Sequence, residues 1–174
     1  MLQWHLFKIL IISILFFACS QEQVSGGTYS DDDIYFEYPA GWIVSDTEEF
    51  SESGFTGKLV TIETTGWDSS GIIMIQIFDW ESNLREAIQD NITEFEVAGW
   101  FYENFSSPSY TEFKGYNSLY SNGTATLFGV DFTLAMYAFH SHGKTIIYVT
   151  QEAIEDYGKN KEGFNKVKST FRVQ

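Results

Sequence analysis

The chain of 174 residues contains one cysteine, Cys19. A lone thiol rules out an internal disulfide framework and a cysteine-built metal site. Positive charge is also scarce. Ten lysines and arginines stand against 24 aspartates and glutamates, giving a formal net charge of −14. A field of that sign repels phosphate backbones, so no nucleic acid partner is expected. Catalytic signatures are missing too. There is no G-x-S-x-G elbow, and the Gly26-Gly27 pair sits in a polar stretch and not in a phosphate loop. Of three histidines, His140 and His142 fall together in one turn, leaving nothing to complete a Ser–His–acid set. No pair among the acids is singled out for glycoside cleavage. The expectation is a non-enzymatic protein with no cofactor, long enough to bury its own core without staples.

The first eighteen residues hold one lysine, Lys8, and no acid. Ile9 to Phe17 is nearly all apolar and stops at the small residue Ala18. This is the layout of a secretory signal. The run falls short of the roughly 20 apolar residues of a membrane span, although Leu2, Trp4, Leu6 and Phe7 lengthen it and leave a retained anchor as the other reading. Leu15-Phe16-Phe17-Ala18-Cys19 resembles the lipobox of bacterial lipoproteins. The resemblance implies that residues 1–18 are removed and that the Cys19 thiol is alkylated with diacylglycerol. It also implies a membrane as partner, reached through that lipid; two or more acyl chains make a stable anchor. The implied place is the cell envelope, facing away from the cytoplasm, with Ser20 after the cysteine favouring the outer membrane. Residues 19–32 read as a flexible tether. Asp31-Asp32-Asp33 lacks the alternate spacing of a calcium loop and reads as a solvated charge run.

From residue 33 to 174 the pattern is that of one domain. Ile34 to Tyr38 alternates as a strand, Pro39-Ala40-Gly41 turns it, and Trp42-Ile43-Val44 continues before a loop around Glu48–Phe50. Gly57 to Thr64 alternates again. Gly71 to Phe78 is apolar on both faces apart from Gln76, as in a strand covered on both sides. Asn83 can cap a helix with Glu86 three residues on. Leu84, Ile88, Ile92 and Phe95 form its apolar stripe, and it ends near Gly99. Tyr110 to Tyr120 is strand-like, Asn122-Gly123 reads as a two-residue hairpin turn, and Thr124 to His140 is a long strand. His142-Gly143 turns into Thr145 to Thr150. A last helix spans about Asn160 to Thr170. Strands apolar on both faces need two covers. The expected fold class is α+β: an antiparallel sheet flanked by helices on both faces, an α-β-α sandwich.

Phe36-Glu37-Tyr38-Pro39-Ala40-Gly41-Trp42 resembles the opening F-x-Y-P-x-G-W of PsbP-like proteins. Gly143-Lys144-Thr145-Ile146-Ile147-Tyr148-Val149-Thr150, the acids Glu152, Glu155 and Asp156, and then Phe164, Val167 and Ser169-Thr170-Phe171 resemble the family's close. The resemblance covers residues 33–174 and implies an antiparallel sheet between helices. It also implies an accessory or assembly role, as the family includes an extrinsic photosystem II subunit and small bacterial lipoproteins. The function expected is therefore a membrane-anchored, non-enzymatic interaction module of the cell envelope with a protein partner there. The other reading is an extracytoplasmic binding protein for a glycan or small apolar ligand.

The candidate site residues are few. His140 and His142 are two possible corners of a zinc site lacking an evident third ligand. Lys159, Lys161, Lys166, Lys168 and Arg172 crowd the end of the chain; they either complement the helix dipole or form a docking face. Trp67 and Trp80 flank the strand Gly71–Phe78 and offer a platform for a ligand, or else pack with the abundant Phe and Tyr.

Overall fold

The alternating segments become strands in the computed structural model, which describes residues 25–52, 55–66, 68–97 and 101–174. In chain order they are β1 (Gly27–Ser30), β2 (Ile34–Tyr38), β3 (Trp42–Glu52), β4 (Phe55–Thr64), β5 (Ile72–Phe78), α1 (Leu84–Val97), β6 (Phe101–Glu103) and β7 (Ser109–Phe113). β8 (Tyr116–Leu127), β9 (Val130–Ser141), β10 (Lys144–Ala153), a 3-10 turn at Ile154–Asp156, α2 (Lys161–Thr170) and β11 (Arg172–Val173) follow. Two antiparallel sheets result. The small one has the order β1-β2-β11, and the large one β3-β4-β5-β10-β9-β8-β6, with β7 also paired to β8.

The core has two layers because β10 is buried on both faces. Ile146 and Tyr148 join Val60, Ile62, Ile73, Ile75 and Ile77 beneath Ile34 and Phe36 of the small sheet. Trp42, Val167 and Phe171 complete that layer. Ile147 and Val149 point the other way, into a layer shared with Leu134, Met136 and Ala138 and with Ile88 and Ile92 of α1. Helical cover on both faces was the expectation, and it is met in part. α1 lies against β8, β9 and β10, but the opposite face is closed by the small sheet, with α2 packed on β2.

The small sheet exists because the segment read as a tether is not free. Gly27–Ser30 pairs with Tyr35–Tyr38, so the domain starts some six residues earlier than the alternation indicates. The acid run is also not simply solvated. Asp31 accepts the backbone N–H of Asp33 at 2.9 Å and of Ile34 at 2.8 Å. Lys58 bonds Asp31 and Asp33, both at 2.8 Å, and Lys144 bonds Asp33 at 2.6 Å and Asp79 at 2.8 Å. A polar N-terminal stretch thus clasps the large sheet through ion pairs, which a hydrophobic pattern does not reveal.

Three further expectations change. The loop around Glu48–Phe50 is part of β3, which bulges between Val44 and Asp46 and pairs with β4 down to Glu52. β3 is an outer strand, and its exposed Asp46, Glu48 and Glu49 blunt that edge against foreign pairing. Asn122-Gly123 is no turn, since both residues lie inside β8 opposite Ala135 and Leu134. The chain turns instead at Lys114-Gly115 and Phe128-Gly129, and at His142-Gly143 as expected, each with positive φ at both residues, the geometry that matches strand twist. β5, finally, is fully buried on one face only, through Ile73, Ile75 and Ile77. On its other face Gln76 exchanges two amide hydrogen bonds, at 2.8 and 3.0 Å, with buried Asn91 of α1. α1 is capped as expected, the Asn83 side chain accepting the N–H of Arg85 and of Glu86.

The clasp sets an acid limit. Burial is the largest single influence and raises the pKa values of Asp31 and Asp33, but it is outweighed together by Lys58, the Ile34 and Asp33 N–H groups and Tyr29 at Asp31, and by Lys144 and Lys58 at Asp33, so both carboxylates lie below the ordinary value. A carboxylate depressed in the folded state contributes in full above its unfolded pKa of about 4, and that contribution is lost as pH falls through the folded value. Melting followed by circular dichroism should therefore be insensitive to this clasp from pH 5 to 8 and fall below about pH 4. Lys58→Met, which leaves Asp31 without a cation and Asp33 with Lys144 alone, should cost about 2–4 kcal/mol at pH 7.

Candidate functional site

Side chains two apart on a strand share a face, so the pairing of β8, β9 and β10 sets out ranks across the large sheet. Tyr120, Tyr137 and Tyr148 form one rank; Asn122, Ala135 and Thr150 the next; Thr124, Thr133 and Glu152 the third. All three lie on the face closed by the small sheet. The first rank is packed. Tyr148 is fully buried, and the Tyr120 and Tyr137 rings lie 4.8 Å apart. The second and third ranks are open to a recess of about 540 Å³. Phe164 of α2 and the exposed Tyr157 line it from one segment, Asn104 and Ser106 from another.

Each border of the recess is fixed by polar contacts. Glu152 is buried, and its carboxylate accepts the N–H of Gly158 at 3.3 Å and the Asn160 side-chain amide at 3.0 Å. Asn160 in turn accepts the Ser69 hydroxyl. This ties the turn before α2 to the end of β10. On the other border the Ser106 hydroxyl donates to the Asn122 side chain at 3.0 Å and its N–H to the Asn122 carbonyl at 2.8 Å. A Cβ on Gly123 would collide with the Phe105 ring. The Asn-Gly pair thus serves to seat the 104–106 segment on β8.

The open lining is hydroxyls, amides and aromatic rings. Its one carboxylate, Glu152, is already committed to two donors. Burial, together with Tyr137 and Tyr157, pushes the Tyr120 phenol upward in pKa, so it stays a neutral donor. The lining thus offers hydrogen-bond donors, acceptors and ring faces.

The residues singled out by sequence are dispersed. Cys19 and Trp67 lie outside the described residues. Trp80 is half-buried, edge-on to Phe78 with ring centroids 5.1 Å apart, so it is packed at the sheet's edge and does not line the recess. His140 Nε2 sits 2.8 Å from the Ser82 carbonyl oxygen, while His142 occupies an exposed turn with its Nδ1 3.3 Å from Ser141 Oγ. No group of three His, Cys, Asp or Glu able to hold a metal occurs among the described residues. The basic cluster is largely spent inside the protein. Lys159 pairs with Asp156 at 2.6 Å and Lys166 with Glu37 at 2.5 Å. Lys168 lies 4.1 Å over the Tyr137 ring, and Arg172 3.9 Å over Tyr35. Lys161 remains exposed, beside a shallow depression shared with Pro39, Gly158 and Lys159. The recess itself was missed. Its residues come from β8, β9, β10, α2 and two loops, and only strand register brings them together.

No family model and no curated protein sequence matches the chain. Solved structures do. The cyanobacterial PsbP (CyanoP) of Synechocystis sp. PCC 6803 superposes with a TM-score of 0.56 at 17% identity, over 90% of this chain and 98% of that one. The fold is PsbP-like. LpqN of Mycobacterium tuberculosis, described as involved in cell envelope biogenesis, superposes with a TM-score of 0.50 at 11% identity, over 86% of this chain and 91% of that one.

Asn160 is the hinge between recess and helix, and its removal leaves Glu152 buried with one donor fewer. Asn160→Ala should cost about 1–3 kcal/mol. Amide hydrogen exchange should rise around Gly158–Phe164 and stay unchanged in β5 if the residue acts locally.

Proposed function

We propose that the protein is a non-enzymatic accessory module of a bacterial cell envelope, held to a membrane by a lipid on Cys19 and facing away from the cytoplasm. The observation that carries this reading is the recess beside Tyr157: open, lined by donors, acceptors and rings, and with its carboxylate already engaged. Such a lining suits holding a partner or ligand, which supports the non-enzymatic reading. A PsbP-like fold, shared with an envelope-biogenesis protein, supports the setting. The basic residues do not form the main docking face in this reading, because four of the five are engaged within the domain.

A second reading has its own support. Uncharged hydroxyl and amide groups beside aromatic rings suit a neutral glycan, with Tyr157 in place of the tryptophans as the stacking surface.

Three measurements test these readings. Wild-type protein expressed in bacteria should float with membranes and carry the mass of acyl chains, and Cys19→Ala should be soluble and lack that mass; a variant that still floats overturns the anchor. A photo-reactive residue in place of Tyr157 should cross-link a defined envelope protein in cells. If instead purified protein binds chitotetraose or cellotetraose, and Tyr157→Ala weakens that binding tenfold or more without changing the melting temperature, the glycan reading replaces it.

A further inference from the structure

Five large apolar side chains stand exposed among the described residues: Tyr110, Phe128, Val130, Ile154 and Tyr157. Four of them share one end of the molecule. β10 runs from Lys144, which touches Asp33, to Ala153, and β2 runs alongside from Ile34, next to Asp33, to Tyr38. Both strands therefore finish at the end opposite the ion clasp. Phe132 pairs with Ala153, which places the Phe128-Gly129 turn and Val130 at that far end, beside Ile154. Tyr157 follows three residues later, exposed, and lines the recess. Phe128 is 85% exposed, Ile154 45% and Val130 42%.

The same end is where the chain enters the domain. Gly27 pairs with Tyr38, and a Cβ on Gly26 would press on the Pro39–Ala40 backbone. Pro39 borders the depression that also holds Gly158 and Lys159, next to Tyr157. From Cys19 to Gly26 is a span of seven residues, which reaches at most about 25 Å when fully extended.

Phe128 is badly placed for stability alone. Its φ is +51°, a left-handed conformation that costs a bulky residue about 1–2 kcal/mol and that Asn or Gly adopts readily. Its ring meanwhile faces water. A residue that is unfavourable both locally and by hydration is explained by what it touches elsewhere.

We infer that Phe128, Val130 and Ile154 form an apolar tip that dips into the interfacial region of the lipid bilayer. The inference rests on the Cys19 anchor for the tip's delivery to the membrane. The contact is apolar in character. Asp131 and Glu155 are exposed beside the tip, and the nearest lysine, Lys159, is engaged with Asp156. Anionic lipid adds nothing to such a surface, so vesicles of phosphatidylcholine and phosphatidylethanolamine suffice.

With Cys19 lipidated, Val130→Cys supplies the one reactive thiol for an environment-sensitive dye. In the full-length lipidated protein on such vesicles the dye should shift to the blue and be quenched by brominated acyl chains. A dye on Thr47→Cys, in outer strand β3, should do neither. A tip dye that stays water-like on floating vesicles overturns the inference and turns the patch over to a protein contact. Protein that fails to float defeats the anchor reading alone. The unlipidated chain, with Cys19→Ala so that Val130→Cys is again the one thiol, is then titrated with excess lipid, where a blue shift upholds the tip and its absence overturns it. In that titration Phe128→Asn should weaken partitioning about tenfold while raising the melting temperature; unchanged partitioning overturns the inference.

Discussion

The rest of the structure follows from one constraint, that β10 is buried on both sides. Ile146, Ile147, Tyr148 and Val149 are all inaccessible to solvent, and a strand of that kind is stable only inside a covered sheet. One cover is easily supplied, since the stripe of α1 delivers Ile88 and Ile92 to Ile147 and Val149. The other cover is the harder requirement. It takes Ile34 and Phe36 from early in the described domain and Val167 and Phe171 from late in it, so its first strands and its last are drawn together in a three-stranded sheet. Tyr148 marks the strain of this arrangement. Its hydroxyl is buried without a partner among the described residues, a loss worth about 1–3 kcal/mol, while its ring packs among Phe113, Phe171 and Tyr137.

Bringing the N-terminal strand onto the sheet creates the ion clasp. A four-residue strand such as β1 buries too little to hold itself. Asp31 and Asp33 hold it by sharing Lys58, and Lys144 extends the network to Asp79. An acidic chain thus concentrates two of its few lysines where they fix topology. The same economy explains the C-terminal basic cluster, in which Lys166 reaches Glu37 and Arg172 covers Tyr35, both on β2. These cations bind α2 and β11 to the strand that closes the core.

What the sequence revealed followed from periodicity and local chemistry. The α1 stripe, its Asn83 cap, the last helix and β10 with the His142-Gly143 turn before it were legible, because each is a local pattern with a 3.6- or 2-residue repeat or a turn signal. The chain ends carried the PsbP-like turn and packing signature, and the superposition agrees. What stayed hidden depended on contacts between distant segments. Gly27–Ser30 is too short for a period to show. Asn122-Gly123 has the composition of a hairpin turn, yet Phe105 needs the missing side chain and Ser106 needs the amide, so tertiary contact overrides turn propensity. The real turn at Phe128-Gly129 was unreadable for the opposite reason, since phenylalanine is a poor residue for it. The recess was illegible in principle, as no single segment contributes more than a few of its residues.

The two ends of the sheet therefore differ in how completely they satisfy their own groups. At the clasp end, charges are paired, the acid run caps its own turn, and little is left to recognise a partner. At the opposite end the cover stops short of β8 and β9, exposing the Asn122 and Thr124 ranks, and apolar side chains project from turns that polar residues would serve better. Natural chains tolerate such local conflict where contact with something else resolves it. The ion clasp lies at one end, and the polar recess and the exposed apolar side chains lie toward the other, where Gly26 enters the domain. On the proposed Cys19 anchor, a lead of seven residues would present that end to the membrane, and the recess beside Tyr157 would then lie close to the bilayer surface.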